Sequence, residues 1–541
     1  MSTAPQSAAP PRRRGLRQGP WLLLAWAVVL GLGTWVLHTQ HHQFPYFYHP
    51  DEPGKGEQLI TGRWNFNHPM LLLSSTQAAV RMMKVPVESQ AVVEVGRTVS
   101  ALLMAVAVVA FSLTAYLWRG WWAALITGVA LALHHQLYEL SHYFKEDSAL
   151  LMGLACAILA ATAFSQRPTV WRAAVLGAGC ALAISGKYLG VVALAIALPT
   201  LWLEGPPERR SKTGVAFGGA LLLGLLVINW PLVADLLGAT GAGTFKKNFS
   251  NDLQLVVKGQ GGLTRSVPHF LYWNVLVDNT TPVIWLLLVA FGAAWRWQDP
   301  AGKTAERLTV LLPIVLAIGL SFSPKENDRY FLPVSAVLTM LAAIGVTHAP
   351  RLVVQWARNF SRPLANRLAG PEKRVWIMGV LAGLLLLLQL TGWWRTKPGL
   401  LQYQEAFAND DTAETLAWLQ AELPAGTLVG IGPRTGVPVP ERKNNQDRMR
   451  IVPASIRVTQ LKPEKDSVES LRARGVQYVI ISETNYGRYF RGDLRTQDAS
   501  NTSFQTAKAF YESLLRQGTL VLEKDRSTVI YLHPGLRVYR L

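Results

Sequence analysis

The stretch WLLLAWAVVLGLGTWVL, residues 21–37, carries no charged side chain. It is close to the roughly 20 residues that a helix needs to cross a hydrocarbon layer about 30 Å thick. The residues ahead of it, 1–20, are rich in Pro, Ala and Ser and hold Arg12, Arg13, Arg14 and Arg17 without an acidic partner. That composition predicts a disordered cytoplasmic tail. His38-Thr39-Gln40-His41-His42 follows the run where a secretory signal would show a small-x-small cleavage site. The run therefore reads as an uncleaved anchor with its amino terminus inside.

Similar runs recur near 98–118, 121–140, 148–165, 171–186, 188–203, 214–235, 281–297, 307–322, 331–348 and 375–394. Half of the 541 residues are hydrophobic, only 16% are charged and the mean hydropathy is +0.19. The expected fold class is a polytopic α-helical membrane protein with about eleven transmembrane helices and a C-terminal extracytoplasmic α/β domain. The net charge of +19 does not point to nucleic acid, because many basic residues fall in short loops between apolar runs. Arg119, Arg167, Arg172, Arg209, Arg210, Lys212, Arg296, Lys303 and Arg307 occupy alternate loops, as the positive-inside rule requires of cytoplasmic ones. Cys156 and Cys180 both lie within apolar runs and support neither a disulfide framework nor a zinc site.

The resulting division is a tail at 1–20, a transmembrane domain at 21–397 with an outer loop at 38–97, and a soluble domain at 398–541. In that outer loop, 54–62 and 69–85 have helical spacing too broken by charge to span, and are expected to lie in the membrane interface. Beyond 400 charge rises and the apolar periods shorten. Strands are expected at 427–431, 476–481, 519–523 and 528–533, and helices at 411–422, 467–474 and 506–517. No phosphate loop, metal spacing or nucleophile elbow occurs there, so the domain reads as accessory.

Chemistry-bearing residues gather at the outer ends of the runs. The stretch Tyr48-His49-Pro50-Asp51-Glu52, which starts about ten residues beyond the first span, holds two adjacent carboxylates, and Asp51 or Glu52 would serve as a general base. Lys145-Glu146-Asp147 opens another span from the same side. Asp147 has two readings, a functional carboxylate or a helix N-terminal acid favoured by the macrodipole. Lys187 and the run Ser323-Pro324-Lys325-Glu326-Asn327-Asp328-Arg329-Tyr330 place cations on a face that should hold few. They would bind a phosphate or snorkel to lipid head groups. Arg97, heading the second span, is a weaker instance. His68, His134, His135 and His142 lack the spacing of a closed metal site. Loop 236–280, with Gly238, Gly241, Gly243, Gly259, Gly261 and Gly262, reads as a lid that shapes acceptor choice or as a plain linker.

With those residues assembled, the chain resembles the GT-C superfamily of integral-membrane glycosyltransferases. Its branch would be glycosyltransferase family 39, that of protein O-mannosyltransferases and lipid A aminoarabinose transferases. The resemblance rests on His49-Pro50-Asp51-Glu52, then Asn67-His68-Pro69 before an apolar run, Gly96-Arg97, Asp147, Gly186-Lys187-Tyr188, and Lys325 through Arg329-Tyr330-Phe331-Leu332-Pro333. It covers about residues 20–400. It implies an inverting transfer from a polyprenyl-phosphate sugar to an acceptor hydroxyl on a lipid, glycan or protein, at the outer face of a bacterial inner membrane. Asp51 would be the base, with Glu52 and Asp147 positioning acceptor or sugar. Lys187, Lys325, Arg329 and Tyr330 would hold the donor phosphate, and Arg97, His68 and Glu146 would help to position substrate. The branch does not demand a divalent metal, although other enzymes of the superfamily use one. The competing class is a transporter or flippase of lipid-linked sugars. It is disfavoured because the spans are nearly free of mid-membrane charge.

Overall fold

The computed structural model describes residues 19–239, 244–258, 283–298, 303–321, 328–392, 398–442, 447–490 and 501–541. Two helices bracket the first outer segment, α1 (Pro20–His38) and α4 (Ser89–Arg119), with α2 (Glu52–Thr61) and α3 (Leu71–Met83) between them. Next come α5 (Trp121–Ala132), α6 (His135–Ser141), α7 (Asp147–Gln166) and α8 (Val170–Gly186). Among the described residues, seven helices are long and apolar enough to cross a membrane, and three shorter apolar ones accompany them. This is a polytopic helical membrane protein carrying a C-terminal β-sheet domain.

The helix α7 is the hub. Sixteen of its residues are buried, from Asp147 to Ser165, so it has no broad face toward lipid. Bilayer helices gain little from the hydrophobic effect when they associate and rely on close packing of small residues. Here a Cβ added to Gly153 would stand 2.2 Å from the Ala183 nitrogen, and one on Gly186 2.5 Å from the Ala149 carbonyl carbon. The α7–α8 contact is therefore backbone against backbone. In contrast α1, Arg210–Ile228 and Pro371–Thr391 expose most of their length, consistent with lipid on their outer faces.

Three expectations need correction. The run 121–140 is not one helix. It breaks at Leu133–His134, where the His134 ring accepts from the Gln136 N–H and caps α6. The run 214–235 breaks at Asn229, whose side chain donates to Ser185 Oγ at 2.7 Å and accepts from the Met70 N–H at 2.9 Å. Arg97 does not head its span. The helix α4 begins at Ser89 and places Arg97 about two turns inside. The interfacial expectation at 54–62 and 69–85 corresponds to α2 and α3. Gly241, Gly243, Gly259, Gly261 and Gly262 of the proposed lid lie outside the described residues.

The C-terminal sheet has the order β2-β1-β3-β5-β4. Its strands are β1 (Leu428–Ile431), β2 (Arg457–Gln460), β3 (Tyr478–Ser482), β4 (Thr519–Glu523) and β5 (Leu536–Arg540). Strand β1 runs parallel to β2 and β3, while β5 is antiparallel to β3 and β4. Helices Asp411–Glu422, Val468–Ala473 and Thr502–Gln517 supply apolar faces to it. Residues 528–533, expected as a strand, form a turn instead. Its apolar residues Val529 and Leu532 are buried against the membrane-side aromatics Phe44, Tyr48 and Tyr143. The apolar run there reports docking, not sheet.

Replacing Gly153 by Ala should lower the thermal midpoint of the purified protein clearly, by an overpacking cost of about 1–3 kcal/mol. The same change at Gly214, where an added Cβ meets nothing within 4 Å, should leave it unchanged. Differential scanning fluorimetry of both variants checks the pair.

Candidate active site

Asp51 is the last residue before α2, and Pro53 in its first turn fits the fixed backbone angle that a helix start needs. The next side chain along, Glu52, turns the opposite way into the protein. Arg97 meets it with Nε to Oε1 at 3.0 Å and Nη2 to Oε2 at 2.5 Å. Both side chains are fully buried. Arg97 Nη1 also donates to the carbonyls of His42 and Phe44 at 2.6 Å each, and its guanidinium lies 3.6 Å from the Phe44 ring centroid. Glu52 Oε1 additionally accepts from the Phe144 N–H at 2.8 Å. The neighbouring Gly96 is needed because any Cβ there would sit 2.5 Å from the Phe144 ring. One fork of hydrogen bonds thus clamps the loop after α1, the start of α2, the first third of α4 and the loop before α7. Glu52 and Arg97 hold the site together and stand behind it.

In front of them opens a cavity of about 1030 Å³. Asp51, His68, Glu146, Lys187, Arg329 and Tyr330 line it, so six of the residues singled out from sequence face one space. Asp147 sits behind Lys187, its Oδ1 accepting from Lys187 Nζ at 2.7 Å. Lys325 lies outside the described residues. Two cations that sequence reasoning left without a role complete the arrangement. Lys145 donates to Asp51 Oδ2 at 2.5 Å, and Lys55 pairs with Glu146 at 3.1 Å. The signal for Lys55 was its position four residues after Asp51, on the same helix face. Lys145 had no local signal, because chain reversal before α7 brings it to Asp51.

Asp51 is the half-exposed member of this network, and Arg329 Nη1 stands 3.6 Å from its Oδ2. Partial burial raises its carboxyl pKa, but Lys55, His49, Arg329 and His68 outweigh that, so it falls below the ordinary carboxylate value. Glu146 is buried and also raised by desolvation, then brought below its ordinary value by His68 and Lys55. Burial drives His49 down to about 3, with Asp51 opposing, so its ring is neutral at physiological pH. His49 Nδ1 accepts from the Asp51 N–H at 3.2 Å.

The C-terminal domain closes over the same loop. Tyr531 packs on His49 with centroids 4.6 Å apart and edge-on against Tyr143 at 5.6 Å. Phe407 stacks on His142 at 4.1 Å, and the Tyr48 hydroxyl donates to Asp410 at 3.0 Å. No three His, Cys, Asp or Glu side chains among the described residues are grouped to hold a metal ion.

The family model for dolichyl-phosphate-mannose-protein mannosyltransferase matches residues 61–235. The crystal structure of ArnT from Cupriavidus metallidurans bound to undecaprenyl phosphate superposes with a TM-score of 0.50 at 14% identity. That match covers 97% of this chain and 98% of that one. The oligosaccharyltransferase AglB from Archaeoglobus fulgidus matches at 12% identity and a TM-score of 0.45, over 87% of this chain and 71% of that one. No curated protein sequence matches.

Two outcomes are expected of this geometry. Arg97→Ala should cost about 3–5 kcal/mol of stability, because it strands a buried carboxylate. Arg97→Lys should rescue little, since an ammonium lacks the planar fork; folded yield and thermal midpoint measure both. With Asp51 shifted down and His49 neutral, turnover should stay flat from about pH 8 to about pH 5. It should fall only as pH drops below the ordinary carboxylate range near about 4. A pH–rate profile showing a histidine-like limb near 6 to 7 would contradict that assignment.

Proposed function

We propose, from the premise that this chain is related to the GT-C superfamily of integral-membrane glycosyltransferases, that it moves a sugar from a polyprenyl-phosphate donor to an acceptor hydroxyl with inversion. The observation that carries this reading is the shared cavity, which the Asp51 carboxylate lines together with two cations, Lys187 and Arg329. That is the pairing a displacement at an anomeric carbon needs. A base takes the acceptor proton, and positive charge meets the departing phosphate.

Asp51 accepts the proton as the acceptor oxygen attacks the anomeric carbon. The bond from that carbon to the phosphate oxygen breaks on the opposite face, and the electron pair leaves with polyprenyl phosphate. The ion-pair contacts of Asp51 with described residues both fall on Oδ2, which leaves Oδ1 for the acceptor. Lys187 is anchored by Asp147 and presents its charge at the cavity wall, with the Tyr330 ring 5.0 Å away. Arg329 exchanges Asp51 for the donor phosphate as the substrate enters, and Lys325, four residues earlier in the sequence, is proposed as a further cation for it. Glu146, His68 and Lys55 fix the floor near the sugar. Glu52 and Arg97 position Asp51 without touching substrate.

In this reading eleven helices span the membrane, the amino terminus is cytoplasmic, and residues 398–541 form an α/β domain on the outer side of a bacterial inner membrane. The basic loops between the spans support that orientation. Lipid, glycan and protein acceptors all fit so open a description.

Asp51→Asn should reduce release of polyprenyl phosphate from a labelled donor by about 10²–10⁴-fold, with donor binding retained. Lys187→Ala should weaken donor binding itself. Turnover by Asp51→Asn at the wild-type rate would remove Asp51 from the mechanism.

A further inference from the structure

One wall of the cavity has no part in the mechanism above and is built of carboxamides. Gln58, Asn65, Asn67, Asn248 and Asn251 all line it. They come from α2, from the loop after it, and from helix Thr244–Lys258. The central piece, Asn65-Phe66-Asn67, is strained. Phe66 has φ +50°, a left-handed conformation that bulky residues rarely adopt and that persists only where the surroundings enforce it.

The enforcement is visible. The Phe66 side chain is buried in the core, and its carbonyl accepts from the Tyr188 hydroxyl at 3.0 Å. Asn65 N–H donates to Gln58 Oε1 at 3.0 Å, and Asn67 N–H donates to Asn65 Oδ1 at 3.1 Å. Asn248 Nδ2 donates to the Asn65 carbonyl at 2.5 Å, tying helix Thr244–Lys258 to the loop. Internal bonds thus hold Gln58 and the backbone in place. Asn67 and Asn251 are exposed, and among the described residues their side-chain amides have no protein hydrogen-bond partner, which leaves them open to the cavity.

The charges sort differently. The two carboxylates lining the cavity are each ion-paired, Asp51 with Lys145 and, before donor enters, Arg329, and Glu146 with Lys55. A cationic ligand would therefore find no acid without a basic neighbour among the described residues. A neutral polyhydroxyl ring would find amides, each offering donors and an acceptor at once. Tyr188 also lines the cavity, its ring packed near Phe245 and Phe249 with centroids 6.3 and 5.2 Å away.

We propose that this carboxamide wall is the donor-sugar subsite, and that it selects a neutral, hydroxyl-rich sugar over an amino sugar. The proposal rests on the donor reading given above. Asn67 and Asn251 bond the sugar hydroxyls directly. Asn65 and Gln58 are positioning residues that act through Asn67, and Asn248 secures the helix that carries Asn251.

The test is equilibrium binding to the full-length protein in lipid nanodiscs. Three probes are compared: bare polyprenyl phosphate, polyprenyl phosphomannose, and a polyprenyl phosphate carrying a 4-amino-4-deoxypentose. The wild type should bind the phosphomannose about tenfold more tightly than the bare phosphate, the gain expected of one or two net hydrogen bonds. The amino sugar should bind no better than the bare phosphate. Asn67→Ala and Asn251→Ala should each remove most of the gain and leave affinity for bare polyprenyl phosphate unchanged, which also shows that the variants are folded. If bare phosphate and phosphomannose bind equally, or if the amino sugar binds most tightly, the subsite assignment is overturned while the donor reading stands. If bare polyprenyl phosphate does not bind, the donor reading itself has failed. Should either variant lose bare-phosphate affinity in step with the sugar, Gln58→Ala decides. Loss of the sugar gain alone supports the subsite, and loss of both contradicts it.

Discussion

The arrangement depends on one buried ion pair, Arg97 with Glu52. Removing two charges from water costs several kcal/mol each, and that is offset only when every lone pair and proton is matched. Here the match is made by four pieces of chain: the fork of Arg97, both oxygens of Glu52, the carbonyls of His42 and Phe44, and the Phe144 N–H. None of these groups can leave without stranding the others. The pair therefore fixes a loop that would otherwise be mobile, and Asp51 inherits its position from the neighbour that faces inward. Adjacent acids on a helix start point in different directions, and the protein uses one for structure and the other at the cavity.

A second layer of order comes from the C-terminal domain. Its Phe407, Tyr531 and Asp410 contact His142, His49 and Tyr48. His49 in turn meets the Asp51 backbone. The C-terminal domain thus contacts the loop that carries the carboxylate through packed rings. The cavity beside that loop is charge-balanced, with each acid on its wall paired to a lysine or an arginine. Such balance lets carboxylates persist ionised in a half-dry space, since each loses hydration and gains a counter-charge.

The sequence made the membrane class legible because hydrophobic length is a one-dimensional property. It also made Asp51, His68, Glu146, Lys187, Arg329 and Tyr330 legible, because polar residues at the ends of apolar runs are few. What it hid is three-dimensional. Arg97 looked like a residue at a membrane boundary because α4 begins unusually early, at Ser89. Glu52 looked equivalent to Asp51 because direction of projection is not written in adjacency. Lys145 gained its role only through a chain reversal. The turn at 528–533 read as a strand because its short apolar run packs on another domain instead of within a sheet. Asn67 entered only through the Asn67-His68-Pro69 match and Asn65 not at all, because the left-handed Phe66 between them is not written in the sequence.

The central claim is that Asp51 faces the phosphate-binding end of a donor cavity. A structure of the protein in a lipid nanodisc with polyprenyl phosphate added tests it most directly. The account predicts the phosphate against Lys187 and Arg329, with the Asp51 carboxylate across the space that the sugar would fill. Phosphate bound away from both cations, or Asp51 turned out of that cavity, would contradict it.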